Sequence, residues 1–124
     1  MGQDQSKKKV LVVDDCSSVM QSLVLILRAA GFDAAGALTA EAALQAATQH
    51  CPDVLLCDIQ LGCTNGIELS LEVRNLLPSC RIILISGDTS SAELLNNALE
   101  RGNHFEVIAK PAPPKELLAL LRKP

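Results

Sequence analysis

The sequence predicts an α/β fold in which helices cover both faces of a parallel sheet. Two observations lead to this prediction: short apolar, β-branched segments recur along the chain, and segments with helical spacing lie between them. Strands that are apolar on both faces are typical of a parallel sheet buried between helices. A strand and a helix repeated five times, joined by right-handed crossovers, fill the 124 residues as one domain.

The predicted strands are three clear apolar runs and two weaker candidates. Each is short and is followed by a segment with helical spacing. The weaker candidates are residues 32–35 and residues 107–108. In chain order the five predicted strands are residues 10–13, 32–35, 54–57, 82–85 and 107–108.

Apolar residues three and four positions apart mark the predicted helices, and residues that start or stop a helix set their limits. Gly31 is a candidate C-cap of the first helix, Thr39 opens the second, and Pro78 stops the third. The fifth begins at Pro113 or Pro114. The five inward-facing stripes are Val19, Leu23, Ile26, Leu27 and Ala30; Ala40, Ala43, Leu44 and Ala47; Leu69, Val73, Leu76 and Leu77; Leu95, Ala98 and Leu99; and Leu117, Leu120 and Leu121.

Composition excludes several function classes. A net charge of -3 and the absence of Trp and Tyr argue against a protein that grips nucleic acid or an anionic membrane. No apolar run approaches the roughly 18 residues of a membrane span, and the polar N-terminus is not a secretory signal. The five cysteines are an odd number without zinc or redox spacing, which predicts reduced structural thiols in a cytoplasmic protein.

Polar residues follow four of the predicted strands. Strand one ends in Asp14 and Asp15, strand three in Asp58, strand four in Ser86 and strand five in Lys110. Ligands bind at the carboxyl ends of parallel strands, and a hard cation such as Mg²⁺ offsets the repulsion between clustered carboxylates. An ammonium group suits a phosphoryl oxygen. Each residue alone is explained as a solvated strand end or a helix N-cap; together they predict a metal and phosphoryl site.

The chain resembles the receiver domain of two-component response regulators over about residues 8–122. Any one of the matching motifs is common, whereas their joint occurrence in order is highly specific. The resemblance implies a doubly wound, flavodoxin-like three-layer sandwich whose five-stranded parallel sheet has the order 2-1-3-4-5. The matching motifs are Val-Val-Asp-Asp at 12–15, Leu-Leu-Cys-Asp at 55–58, Gly62, Gly66, Ile-Ser-Gly at 85–87 and Lys-Pro at 110–111.

By this resemblance Asp58 is the phosphoacceptor, which takes a phosphoryl group from the phosphohistidine of a sensor histidine kinase or a histidine phosphotransfer protein. Ser86 and Lys110 would then bind phosphoryl oxygens, and the peptide bond before Pro111 would be cis. The resemblance implies no enzymatic activity beyond Mg²⁺-dependent self-phosphorylation and autodephosphorylation.

The resemblance also implies a Mg²⁺ site. Its ligands would be Asp15 directly, Asp14 through water, Asp58, and the backbone carbonyl of Gln60. Gln60 and Asp88 lie two residues after the acceptor and after the serine of strand four, so we expect both to affect the rate of dephosphorylation.

Residues 1–7 are predicted to be a flexible leader, residues 8–122 the receiver domain, and no output domain is expected. A bacterial, stand-alone regulator of this type would signal to a downstream protein target or act as a phosphate shuttle or sink. The resemblance leaves a monomer and a weak homodimer both open.

Two positions depart from the family pattern. Val107 stands where active receivers usually carry an aromatic switch residue, while Phe105 lies two residues earlier, across the strand or in the preceding loop. Ala112 also replaces a usual aromatic. An atypical output route and a shuttle role therefore both remain, together with a degenerate receiver that binds partners without phosphorylation.

Two other functions fit less well. An aspartate-based phosphatase needs a general acid close to the nucleophile and a cap over the substrate, and residues 59–66 contain no second carboxylate near Asp58. A nucleotide- or flavin-binding module needs a glycine-rich loop after strand one, whereas residues 14–18 contain no glycine and are anionic.

Overall fold

A computed structural model describes residues 7–62, 64–87, 96, 99–102, 105–110 and 113–122. The helices with described bounds alternate with the strands along the chain, as predicted. Each of the first three helices buries at least two apolar side chains. These helices are α1 (Ser17–Ala29), α2 (Ala40–His50), α3 (Gly66–Leu76) and α4 (Pro114–Arg122).

The main sheet is parallel and has the strand order β2-β1-β3-β6-β7. This is the predicted order once a small antiparallel hairpin, β4-β5, is set aside. The α/β prediction and the doubly wound topology are therefore confirmed. The strands are β1 (Lys9–Val13), β2 (Asp33–Ala37), β3 (Val54–Asp58), β4 (Gln60–Leu61), β5 (Thr64–Asn65), β6 (Arg81–Ser86) and β7 (Glu106–Ala109).

The core forms two layers, one on each face of the sheet. Successive side chains of a strand point to opposite faces, so β1 sends Leu11 and Val13 to one layer and Val10 and Val12 to the other. Helices α2 and α3 cover the first layer, and α1 and α4 cover the second. This arrangement explains why the strands read as unbroken apolar runs.

Two details of the sequence prediction are wrong at the start of the chain. The second strand begins at Asp33. Phe32 still belongs to the turn that follows α1, because its N–H donates to the Leu27 carbonyl of that helix. On α1, Val24 is buried although it was not predicted to be, and Val19 is partly exposed. The apolar stripe of α1 is therefore rotated toward Val24.

Other helix predictions also meet exceptions. Leu76 is 52% exposed at the last residue of α3, because the helix ends there and its stripe no longer faces the sheet. Leu120 is half-buried beside the buried Leu117 and Leu121. Leu95 and Ala98 of the predicted fourth helix lie outside the described residues. The remaining member of that stripe, Leu99, is helical and 52% exposed.

The cysteines divide into two groups. Cys57 and Cys80 are buried free thiols, as expected of structural cysteines, whereas Cys16 and Cys51 are free and exposed, which corrects that prediction for both. Cys63 lies outside the described residues. Across the described part of the chain, none of the helices has the length and apolar character needed to cross a membrane.

Candidate functional site

Three carboxylates meet at the carboxyl end of the sheet. Asp14 and Asp15 directly follow β1, and Asp58 is the last residue of the neighbouring strand β3. One carboxylate oxygen from each of the three lies within 4.8 Å of the other two. Asp14 and Asp58 are buried, with 1% and 5% of their surface exposed, while Asp15 is exposed. Adjacent parallel strands that end at the same level bring these groups together.

Lys110 brings a positive charge to this cluster. Its Nζ lies 2.9 Å from Asp58 Oδ2 and 3.3 Å from Asp14 Oδ2. The backbone N–H of Lys110 donates to the Ser86 carbonyl at 2.9 Å, so the lysine follows β7 in register with β6. Partial burial works to lower the pKa of Lys110, but the hydrogen bond and charge of Asp58 and the charge of Asp14 outweigh it and raise the pKa.

In the part of the chain that the structure describes, the three carboxylates of the cluster outnumber the one ammonium group beside them. Asp14 Oδ1 accepts a hydrogen bond from the Cys16 N–H at 2.9 Å, but the buried Oδ2 has no hydrogen-bond partner among the described residues. Its ion pair with Lys110 lacks hydrogen-bonding geometry. Lys110 is the one ammonium group close to the three carboxylates among the described residues, so the cluster keeps an excess of negative charge, which costs stability where it is buried. The all-oxygen donor set therefore fits a hard cation such as Mg²⁺.

Gln60 lies directly beside the cluster. Its backbone N–H donates to Asp58 Oδ1 at 3.2 Å, and its side chain is exposed. Gln60 is the first residue of β4, which pairs with β5 in a hairpin of two residues per strand. The sequence does not predict this hairpin, because two-residue strands carry no apolar periodicity.

Two glycines shape the wall of the site. Gly62 at the hairpin turn has φ +60°, and a Cβ there would lie 3.7 Å from Asp15 Oδ2, so the turn passes close to this carboxylate. A Cβ on Gly66 would fall on the Asp58 carbonyl oxygen and close to Cys57 Sγ. Glycine is therefore required at Gly66 by close approach of two backbone segments. In the sequence these glycines are recognisable only as part of the family motif; the close approach that requires Gly66 is visible only in the structure.

The structure brings together Asp14, Asp15, Asp58, Lys110 and the backbone of Gln60. Ser86 is half-buried at the end of β6, one residue beyond Ile85, which pairs with Asp58 across the sheet. The other predicted positions, Asp88, Pro111 and Ala112, lie outside the described residues.

Valine, and not an aromatic residue, occupies the switch position on β7. Val107 is 43% exposed on β7. Phe105 lies in the loop just before β7, packs against the core layer of α2 and α3, and has the Arg74 guanidinium 4.5 Å from the centre of its ring. A cation placed over an aromatic face is attractive, so this ring is held against α3.

An open cavity of about 570 Å³ adjoins the cluster. It lies between α1 and the carboxyl ends of the strands that carry Ser86 and Lys110, and Lys110 belongs to both the cavity and the cluster. Lys110 is therefore the described residue that joins the cavity to the acidic cluster. Among the described residues, its lining consists of Ser18, Val19, Ser22, Leu23, Ile85, Gly87 and Lys110.

One residue pair near the site was missed although the sequence carried its signal. Asn65 caps α3: its Oδ1 accepts from the Glu68 N–H at 2.8 Å, and its Nδ2 donates to Glu68 Oε2 at 2.9 Å. A capping residue followed three positions later by Glu is the sequence pattern of a reciprocal cap.

Solved structures confirm the fold. A CheY-like receiver domain protein from Methanospirillum hungatei has a TM-score of 0.82 and 28% identity, with 94% of this chain and 92% of that chain covered. The Vibrio cholerae chemotaxis protein CheY4 has a TM-score of 0.83 and 26% identity, with coverage of 94% and 98%.

Sequence comparisons give the family. The chain is 34% identical over 119 residues to the DNA-binding response regulator MtrA of Mycobacterium tuberculosis, covering 96% of this chain and 51% of that protein. It is 34% identical over 113 residues to the transcriptional regulatory protein KdpE of the same organism, covering 91% and 49%. The chain thus spans about half the length of these curated relatives. Residues 10–122 match the response regulator receiver domain family, and the chain belongs to this family.

Proposed function

We propose that the chain receives a phosphoryl group on Asp58 from the phosphohistidine of a sensor histidine kinase or a histidine phosphotransfer protein. One observation carries this proposal. Asp58 ends β3 within 4.8 Å of two further carboxylates and hydrogen-bonds the Lys110 ammonium at 2.9 Å. A carboxylate placed beside both acidic and cationic groups suits in-line transfer of a phosphoryl group.

The transfer itself exchanges one bond for another. An oxygen of Asp58 forms a bond to phosphorus as the bond between phosphorus and the donor imidazole nitrogen breaks. The electron pair of that bond stays on the imidazole. The Gln60 N–H donates to Asp58 Oδ1 and so orients the acceptor. Lys110 Nζ, which donates to Asp58 Oδ2 in the structure, would pair with an oxygen of the transferred phosphoryl group. Ser86, at the end of the adjacent strand, is the candidate donor to another.

The carboxylates of Asp14, Asp15 and Asp58 and the backbone carbonyl of Gln60 are the residues that would hold Mg²⁺. When bound, the ion supplies positive charge between the acceptor and the incoming phosphoryl group. The buried Asp14 Oδ2, which has no hydrogen-bond partner in the described part of the chain, supports this assignment. We propose no other enzymatic activity for the chain.

The output of the domain is also a proposal. Val107 is exposed and has no aromatic ring that could move between two positions, and the Phe105 ring is in contact with the Arg74 guanidinium. These contacts support a role in which signalling does not depend on an aromatic switch, either through a downstream protein or as a phosphate shuttle. We place this activity in the bacterial cytoplasm, in a monomer or weak homodimer, and assign no nucleic-acid contact to the domain itself.

The test is phosphorylation of the purified chain by acetyl phosphate with and without Mg²⁺, followed by intact mass. We expect one phosphoryl group to be added in the presence of Mg²⁺, and none in the Asp58→Asn variant, because the amide cannot act as the acceptor. A kinase-coupled assay excludes the possibility that the chain fails to react with acetyl phosphate but still accepts a phosphoryl group from phosphohistidine. A folded protein that binds Mg²⁺ but is phosphorylated by neither donor would contradict the proposal and favour a receiver that binds partners without phosphorylation.

A further inference from the structure

The hairpin β4-β5 forms one wall of the acidic cluster. At its beginning, the Gln60 N–H donates to Asp58 Oδ1 at 3.2 Å. At its turn, Gly62 passes close to the Asp15 carboxylate, since a Cβ on this glycine would lie 3.7 Å from Oδ2. The position of the hairpin therefore determines the surroundings of two of the three carboxylates.

This hairpin is too short to hold itself in place. It contains two residue pairs, Gln60 with Asn65 and Leu61 with Thr64, and even longer isolated hairpins are only marginally stable in water. Its conformation must therefore come from contacts at its base. The base is anchored where the Gly66 N–H donates to the Ile59 carbonyl at 2.6 Å and where Leu61 is buried in the core.

A third anchor lies on the second strand of the hairpin. Asn65 is both the last residue of β5 and the N-cap of α3. It makes two hydrogen bonds with Glu68, one through the Glu68 backbone N–H at 2.8 Å and one to the Glu68 carboxylate at 2.9 Å. The first bond caps the helix, and the second restrains the Asn65 side chain from the other side. Asn65 is thereby fixed directly across the ladder from Gln60.

We propose that Asn65 and Glu68 are positioning residues for the Mg²⁺ site of this receiver domain. The reciprocal cap ties β5 to the first turn of α3, and the Gln60–Asn65 pairing carries this restraint to the backbone of Gln60. Glu68 itself is exposed on α3 and is not part of the acidic cluster, so it acts through the hairpin. The inference rests on the proposed function, because that function makes Gln60 a metal ligand.

The experiment compares Mg²⁺ affinity in four proteins by NMR titration of amide signals: wild type, Glu68→Ala, Glu68→Gln and Glu72→Ala. Glu68→Ala removes the bond from Asn65 Nδ2 and leaves the N-cap bond, which uses the backbone. We expect it to weaken Mg²⁺ binding about three- to tenfold, less than the roughly 10–100-fold typical when a partner of a ligand itself is removed. Glu68→Gln keeps an acceptor oxygen and should restore wild-type affinity.

Glu72→Ala is the matched control. Glu72 is exposed one turn further along α3, so this variant removes the same charge from the same helix without touching the cap. We expect wild-type affinity. In phosphorylation by acetyl phosphate, Glu68→Ala should be slow at low Mg²⁺ and should approach the wild-type rate at saturating Mg²⁺. A merely structural loss would lower the rate at both concentrations.

The outcomes separate the inference from the proposed function. Equal Mg²⁺ affinities for Glu68→Ala and Glu72→Ala would overturn the inference. It would also be overturned if Glu68→Gln bound Mg²⁺ as weakly as Glu68→Ala, because the loss of the Glu68 charge, and not of its hydrogen bond, would then explain the weaker binding. If wild type binds Mg²⁺ but is never phosphorylated, the proposed function fails, while the affinity series still decides the inference. A wild type that does not bind Mg²⁺ overturns both.

Discussion

The two ends of the sheet carry similar charged side chains but arrange them in opposite ways. At the carboxyl end, three carboxylates are gathered around one ammonium group among the described residues. At the amino end, the charges alternate in sign from strand to strand across the order β2-β1-β3-β6-β7. The alternating residues, in that spatial order, are Asp33, Lys9, Asp53 (the residue just before β3), Arg81 and Glu106.

At the amino end, several charged groups have hydrogen-bond partners within the fold. Arg81 donates two hydrogen bonds to Glu106, at 2.7 and 2.6 Å, and a third to the Leu120 carbonyl near the end of α4 at 2.9 Å. Lys8 Nζ donates to the Leu121 carbonyl, also at 2.9 Å. The hydrogen bond that Arg81 donates to Glu106 raises the pKa of Arg81. Cations at a helix C-terminus also interact favourably with the helix dipole. These contacts at the amino end of the sheet therefore hold α4 against it.

The carboxyl end leaves charge unmatched, and this difference separates stability from function. A group whose partners are already in the fold has little left to offer a ligand. Three carboxylates share one ammonium group among the described residues, and this excess of negative charge is a cost to the folded protein that an incoming cation reduces. Substitutions at the amino end should therefore alter stability alone, whereas those at the carboxyl end should alter stability in a way that depends on Mg²⁺.

The largest expected effect is at Gly66. A Cβ there would collide with the Asp58 carbonyl oxygen, so Gly66→Ala should lower the free energy of unfolding by about 3 kcal/mol or more, measured by urea denaturation. Gly31 is the matched site at the amino end, with φ +97° and no atom within 4 Å of an added Cβ. Gly31→Ala should cost about 1 kcal/mol, from backbone conformation alone. Equal costs would show that close packing does not distinguish the two ends.

The second effect depends on pH and lies at the amino end. Burial, and then the charge of Asp53, raises the pKa of the Cys80 thiol from 9.0 to about 11. The folded state therefore holds this proton more tightly than the unfolded state, so stability is full below pH 9 and falls as pH rises through about 11. The slope should be about 1.4 kcal/mol per pH unit. Denaturation of wild type and Cys80→Ala under reducing conditions should show a shallower loss in the variant, and parallel curves would contradict this.

The third effect tests the cation of the carboxyl end. Lys110→Met leaves Asp14 and Asp58 buried without their ion pair, so the free energy of unfolding without Mg²⁺ should fall by about 2 kcal/mol, allowing for partial exposure of the lysine. Added Mg²⁺ should narrow this deficit, because it compensates the same carboxylates. Lys115→Met, at an exposed position of α4, is the control and should change neither value. A deficit that Mg²⁺ leaves unchanged would show that Lys110 acts only structurally.

The smallest effect is at Arg81. Arg81→Ala removes the hydrogen bonds to Glu106 and to the Leu120 carbonyl from a partly exposed site and should cost about 1–2 kcal/mol. Mg²⁺ affinity and phosphorylation by acetyl phosphate should match wild type, since Arg81 lies at the opposite end of its strand from the cluster. A change in Mg²⁺ affinity at equal helical content would break the proposed division between the two ends.

Local pattern accounts for how much of the fold could be predicted. The runs at residues 10–13, 54–57 and 82–85 lie inside β1, β3 and β6, because a strand buried on both faces must be apolar throughout. The weak second strand was misplaced at Phe32, since edge strand β2 is small and largely exposed and lacks that signal. The limits of α3 followed from Pro78, but the exposed Leu76 shows that periodicity alone does not settle which face is covered at a helix end.

The sequence by itself determined the layered α/β fold and the gathering of Asp14, Asp15, Asp58 and Lys110 at one edge, because parallel strands end on the same side of a sheet. Only the tertiary structure decided the hairpin that flanks the site, the Arg74 contact on Phe105, and the alternation of charge at the amino end. The hairpin is local, but its two-residue strands carry no apolar periodicity. The other two features depend on groups far apart in sequence or on strand order. The bond from Arg81 to Leu120 spans 39 positions, and no local pattern along the chain encodes such a contact.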